Sequence, residues 1–412
     1  MRFELHALIT GERVRIASQM APVAYLFALC FFLYALGKPV YGAGFVFPID
    51  FLCFWTAAEE ARLVGPAFAY ENQFLKTAQA PFTRDGMYFP FMYPPTFLLT
   101  ILPLSSLSFL TAYIVFMGLS LSVYAVTGRL VWGNWQGAMF LLAFPATLNA
   151  AAHGQTSLLT CACLGVGLYC LKNRRMVLAG VCFALMTFKP QAGVLIPFAL
   201  LAGRYWQAFI VASFGTILWA LISWAVLGTD TWLAFLEQSS FARSLMSSGV
   251  LEFHKMISLN AALRLGGVNE DLAIILQAAL SCLLLAVVVL AWSKDAIPFE
   301  LKAVVLVSAG LLVTPYSLSY DLTLLVLAVL FFAIYARAYS YRSSDIYLLV
   351  IAVAFSGATR ILGDVGIPIG PLPAAAMLYL GLSRLQDHIT YSELIPFGAI
   401  RLKGRENDTK AV

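Results

Sequence analysis

The sequence predicts an all-α, polytopic membrane protein, and three observations carry that reading. Hydrophobic residues form 61% of the chain and charged residues only 11%, against roughly 45–50% and about 25% in soluble domains. No residue from Gly86 to Gly128 is charged, and none from Leu130 to Leu171. An apolar stretch of that length holds one or two membrane spans. Third, the patterns of soluble catalysts are missing: there is no G-x-S-x-G, no H-E-x-x-H, no P-loop and no G-x-G-x-x-G, so hydrolase, metalloprotease and nucleotide-binding chemistry are not expected.

In chain order, the first apolar run, about Met20 to Tyr41, follows Arg2, Arg13 and Arg15 and lacks an A-x-A-like cleavage site. It reads as a retained span, with 1–19 as a cytoplasmic N-terminus. A first outer loop, 42–95, carries Asp50, Glu59, Glu60, Arg62, Glu71, Lys76, Arg84 and Asp85 among many aromatics. The alternation of polar and apolar residues over Phe51 to Val64 predicts an amphipathic helix at the outer surface. After the two uncharged stretches, further spans are expected near 175–188, 191–203, 206–227, 271–293, 300–314, 319–336, 345–362 and 367–383, about twelve in all. A second outer loop, 228–270, has room for a short helix near Ser258 to Leu265. The membrane domain as a whole covers 20–385, and 386–412 reads as a cytoplasmic tail.

Orientation follows from the basic residues. With a cytoplasmic N-terminus, 17 of the 26 Lys and Arg lie inside, including Lys172-Asn173-Arg174-Arg175 and Arg337 to Arg342, as the positive-inside rule requires. The net charge of +5 is too scattered for a nucleic-acid footprint. Seven cysteines, most of them in apolar runs without ligand spacing, read as small core residues. No cofactor is expected, and a divalent metal is left open.

Three polar turns interrupt the apolar pattern: His153-Gly154-Gln155, Lys189-Pro190-Gln191, and Thr314 to Asp321. In this topology all three face outward, between helices too short to cross the bilayer. Irregular backbone at such depth is tolerated where it lines a protein-enclosed cavity. Ionisable residues near it are costly without a partner or a task. Asp50 is either the N-cap of a helix starting at Phe51 or a general base for a sugar hydroxyl. Lys189 and Arg360 either snorkel or pair with Asp321 or Asp364, or they hold a lipid-linked phosphate. Asp321 is a helix N-cap or a member of the site, and Tyr93, before Pro94-Pro95, an interfacial anchor or a substrate contact.

Taken in order, Asp50-Phe51 with Phe54-Trp55 and Ala57-Ala58, then Tyr93-Pro94-Pro95, Gly154-Gln155-Thr156-Ser157, Lys189-Pro190-Gln191, and Thr314-Pro315-Tyr316 with Tyr320-Asp321-Leu322 resemble glycosyltransferase family 87, a membrane group of GT-C fold. The resemblance runs from about residue 45 to 335. It implies a GT-C-like bundle that takes a hexose, commonly mannose, from a polyprenyl-phosphate donor and passes it, with inversion, to a glycolipid or glycan acceptor on the outer face of the plasma membrane. Asp50 matches the family's base. Lys189, Arg360, Tyr93, Gln155, Gln191, Tyr320, Asp321 and His254 are the candidates for donor phosphate or substrate. Some relatives carry a histidine in the motif that reads Ser317-Leu318-Ser319-Tyr320-Asp321 here; His153, His254, or Tyr320 and Asp321 would stand for it. The competing readings are a flippase of lipid-linked sugars, since broken helices also mark transporters, and an envelope-assembly subunit.

Overall fold

A computed structural model of the chain describes residues 49–83, 88–247 and 252–394. The expected first span, the N-terminal segment 1–19 and the end of the tail lie outside the described residues. Those described are helical apart from turns, short extended connections and isolated bridging such as that of Met256 with Leu318.

The helices run α1 (Ile49–Leu63), α2 (Asn72–Gln79), α3 (Pro95–Ile101), α4 (Phe109–Trp132), α5 (Trp135–Leu142), α6 (Pro145–His153), α7 (Ser157–Lys172), α8 (Met176–Ala184), α9 (Pro190–Gly193), α10 (Ile196–Ala202) and α11 (Trp206–Leu227). After them come α12 (Thr229–Ser247), α13 (Leu259–Leu265), α14 (Glu270–Ser293), α15 (Phe299–Leu312), α16 (Leu325–Tyr339), α17 (Ser343–Asp364) and α18 (Leu372–Leu394). Local chemistry sets many of the boundaries. Ser108, Asn134, Ser258 and Asn269 each cap the following helix, their side chains accepting from Thr111, Gln136, Ala261 and Leu272 N–H groups. Pro95, Pro145 and Pro190 occupy first turns, where the missing N–H costs nothing. The helix expected near Ser258 to Leu265 is α13.

Among the described residues, five helical segments are long and apolar enough to cross a bilayer: Phe109–Trp132, Trp206–Leu227, Glu270–Ser293, Ser319–Tyr339 and Ser343–Asp364. Pro95–Ser106, Ser157–Lys172, Met176–Phe188 and Pro190–Ala202 are apolar but shorter. A count of twelve full crossings is therefore not reached among the described residues, because several expected spans are half-length pieces around the polar turns.

Burial sorts the helices into two kinds. In α15, 11 of 14 residues are buried and in α16, 10 of 15, so they form the centre. α11 buries only Ala208, Ser223 and Leu227, and Ile210, Phe214, Ile217 and Leu221 stand exposed along it. Apolar surface on that scale is stable only when lipid, not water, is the solvent. Where α4 and α5 cross, a Cβ on Gly128 or Gly137 would collide with the other's carbonyl, so glycine sets that close approach.

The first loop departs from the expected surface helix. Phe51, Leu52, Cys53, Phe54, Thr56, Ala57, Ala58 and Ala61 of α1 are all buried, so the helix has no wet face over most of its length. Its alternation is real in sequence, but an aromatic cluster covers both sides: Phe54 lies 4.9 Å from the ring of Tyr93 and 5.0 Å from that of Phe97, and Phe51 lies 5.4 Å from Phe116. The one-sided helix of this loop is α2, which buries Leu75 and Gln79 and exposes Lys76 and Thr77.

Candidate functional site

The three polar turns meet. α6 ends at His153, and Gly154 takes a left-handed conformation (φ 71°) that closes the helix and lets Gln155 N–H reach back to the Ala150 carbonyl at 2.9 Å. Gln155 Oε1 then accepts from the Tyr93 hydroxyl at 2.9 Å and from Thr156 N–H at 3.2 Å. Lys189 stands before Pro190, which disfavours a helical backbone at the preceding residue. It breaks the run between Leu185–Phe188 and α9.

The third turn supplies the hub. Asp321 sits in the short 3₁₀ segment Ser319–Leu324. Its Oδ2 accepts from Leu318 N–H at 3.0 Å, and its Oδ1 accepts from Ser157 Oγ at 3.1 Å and from the Lys189 ammonium. Lys189 also lies 5.0 Å from the Tyr320 ring centre. Nearby, Asn149 donates to Ser319 Oγ at 3.2 Å and Thr323 to the Ala146 carbonyl at 3.2 Å. Lys189 and Asp321 are almost completely buried, and a buried pair of this kind needs each charge satisfied. The ammonium that sequence offered as a phosphate holder is thus committed to Asp321, and Asp321 is not an N-cap: Leu318 holds that place, and Asp321, three residues on, accepts its N–H.

Asp50 is placed differently. It lies inside the first turn of α1, which begins at Ile49, and so is not the N-cap of a helix starting at Phe51. Its Oδ2 lies 3.4 Å from His153 Nδ1, and its side chain keeps 26% of its surface exposed against 8% for Asp321. His153 in turn lies 6.3 Å, centre to centre, from the Tyr320 ring. Tyr93 and Tyr320 are both within electrostatic range of Asp50 and of Asp321.

A strap from Glu252 to Ser258 brings in the remaining charges. Ile257 N–H donates to the Ser317 carbonyl at 2.9 Å. On the other side the His254 carbonyl packs so tightly on Gly363 of α17 that a Cβ there would overlap it. His254 Nε2 lies 3.4 Å from Asp364 Oδ1, and Arg360 Nε lies 3.7 Å from the same oxygen. Lys255, paired with Glu252, has its ammonium affinity for a proton lowered by burial and by Arg360, against the opposing pull of Asp50 and Asp364.

Asp50, Tyr93, Gln155, Lys189, Tyr320 and Asp321 therefore belong to one cluster, and Arg360 and His254 adjoin it through Lys255. Gln191, on α9, is half-buried two residues beyond Lys189. His153 and Lys255 were not among the candidates for donor or substrate. His153 was visible as the polar residue closing α6, whereas Lys255 looked like a solvated loop charge. Among the described residues no three His, Cys, Asp or Glu side chains are grouped to hold a metal ion.

The arrangement offers a partly open carboxylate beside an imidazole, with Lys255 in electrostatic range of the carboxylate and Arg360 in range of Lys255, which suits proton removal next to an anion. A model of glycosyltransferase family 87 matches residues 91–315, a span containing Tyr93, Gln155, Lys189 and Lys255 but not Asp50, Asp321 or Arg360. No curated protein and no solved structure matches the chain.

Proposed function

Because the chain belongs to glycosyltransferase family 87 and is a membrane glycosyltransferase, we propose that it moves a hexose, mannose first among candidates, from a polyprenyl-phosphate donor to a glycolipid or glycan acceptor. In this reading the site faces the extracytoplasmic side of the plasma membrane, both termini are cytoplasmic, and the bundle has about twelve GT-C-like membrane segments serving envelope assembly. The observation that carries it is the placement of Asp50: a half-open carboxylate beside the buried hub of three broken-helix turns, with Lys255 and Arg360 in electrostatic range of one another.

The reaction is an inverting displacement. Asp50 takes the proton of the acceptor hydroxyl as its oxygen bonds to the anomeric carbon, while the bond from that carbon to the phosphate oxygen breaks. Negative charge grows on the departing lipid phosphate, and Lys255 and Arg360 are the cations to meet it. Lys189 and Asp321 hold the turns, and Tyr93 with Gln155 joins the loop helix to them. Tyr320, Gln191 and His254 remain the candidates for sugar contacts.

The test is transfer of labelled hexose from polyprenyl-phosphate mannose, and from the glucose counterpart, in membranes carrying the protein or Asp50→Asn. Loss of a general base costs about 10²–10⁴-fold in rate, so the variant should fall by that much with folding unchanged. Equal rates would refute Asp50 as the base. Label carried across the bilayer while still on its lipid would replace transfer by flipping.

A further inference from the structure

We propose that His153 is the positioning residue of Asp50: its Nδ1–H holds one carboxylate oxygen so that the other is presented to the acceptor hydroxyl. The inference rests on Asp50 being the base, and it adds a residue to that reading.

Four observations converge on it. His153 Nδ1 and Asp50 Oδ2 are 3.4 Å apart, close enough to tighten into a hydrogen bond when the site is filled. His153 is held from behind: it ends α6, Gly154 fixes the turn after it, and α6 is tied to the Asp321 hub through Asn149 to Ser319 and through Thr323 to the Ala146 carbonyl. Its side chain keeps only 15% of its surface exposed, less than the 26% of Asp50, so the pair has an inner, anchored member and an outer, open one. His153 also ends α6, and the partial negative charge of a helix C-terminus favours a donating imidazole there. The tautomer this geometry selects carries hydrogen on Nδ1.

The alternative is that Asp50 needs no anchor because Lys255 already acts on it. An ammonium on a flexible stem gives charge without direction. Placing a carboxylate oxygen for proton transfer requires direction, and an error of 1 Å in such placement can cost about 10²-fold. His153, short and fixed at a helix end, supplies it.

The experiment compares His153→Asn and His153→Gln in the same labelled-mannose assay, with Asp50→Asn alongside and thermal unfolding of each purified protein as the folding control. The Asn amide reaches where Nδ1 stands, and the Gln amide does not. His153→Asn should keep kcat within about tenfold, while His153→Gln should lose about 10²-fold in kcat with donor KM unchanged. Equal rates in the two variants, or a loss lying only in KM, would overturn the positioning role. If Asp50→Asn is inactive and both His153 variants run at the wild-type rate, the base stands and the anchor falls. If Asp50→Asn is active, the base reading fails and takes this inference with it.

Discussion

Two buried ion pairs sit at opposite ends of the same helices, and they use one device for different ends. Asp321 is the third residue of the segment leading into α16, and Asp345 the third of α17, which runs back antiparallel. Each aspartate accepts the backbone N–H three residues before it, Leu318 at 3.0 Å and Arg342 at 2.8 Å. Each also takes a buried cation, Lys189 in one case and Arg384 in the other. Around Asp345 the neighbouring charges are also engaged: Arg384 donates to the Ser340 carbonyl at 2.9 Å, Arg342 pairs with Asp387 at 2.6 Å, Lys172 with Glu300 at 2.6 Å, and Arg337 stacks 3.6 Å over Trp132. Around Asp321 the charges are paired more loosely: Asp50 stays partly open 3.4 Å from His153, Arg360 lies 3.7 Å from Asp364, and Lys255, paired with Glu252, also feels the repulsion of Arg360. Function is expected where charges are held near one another without full mutual satisfaction. The pairs themselves are staples at both ends.

The comparison breaks or holds first on those pairs. Removing one member of a buried pair costs about 3–5 kcal/mol, because the other charge is left alone. Asp321→Ala and Asp345→Ala should each lower stability by that much, read as thermal unfolding in detergent. Replacing both members by apolar residues should recover most of it, in Lys189→Met with Asp321→Leu as in Arg384→Met with Asp345→Leu. Transfer activity should return only in the second double variant, since the first also releases Ser157 and the three turns. Full activity in both would reduce the Asp321 hub to packing.

The glycines sharpen the same contrast at smaller scale. Gly363 faces the His254 carbonyl at the site end, and Gly128 faces the Gly137 carbonyl at the other. Overpacking of this kind costs about 1–3 kcal/mol, so Gly363→Ala and Gly128→Ala should destabilise alike. Only Gly363→Ala should raise donor KM, because it pushes away the strap bearing Lys255. A KM change in Gly128→Ala would show that the two ends are coupled through the bundle.

Much of this layout is legible in the sequence, and what is hidden has a physical reason. Pro190, Gly154 and the Ser317 to Asp321 run break apolar patterns, so the half-helices could be read directly, and α11 has its expected bounds at 206–227. The pairing of Lys189 with Asp321, 132 residues away, was one of several options, because periodicity reports which face is apolar and not which partner covers it. The same limit misled the reading of α1: Glu59, Glu60 and Thr56 mimic a wet stripe, yet Phe91 and Tyr93 from the far end of the loop and Phe97 from α3 bury the helix. Lys255 gave no signal at all, since its position beside Arg360 depends on a strap pinned by Ser317 and Gly363.

The smallest expected effect concerns Lys255, and it separates a phosphate holder from a loop charge. Burial and Arg360 lower its proton affinity, so the ammonium is complete well below that depressed value and is lost as pH rises through it, earlier than for an ordinary lysine near about 10.4. Donor affinity should therefore weaken on the alkaline side in the wild type. Lys255→Gln should raise donor KM about tenfold at neutral pH, equivalent to about 1.4 kcal/mol, and its KM should no longer respond to alkali. Lys255→Arg, whose guanidinium stays charged, should keep the donor bound where the wild type loses it. Lys172→Gln, at the paired end, should leave donor KM unchanged at every pH. If Lys255→Arg follows the wild-type alkaline loss, another group controls it and the phosphate rests on Arg360 alone.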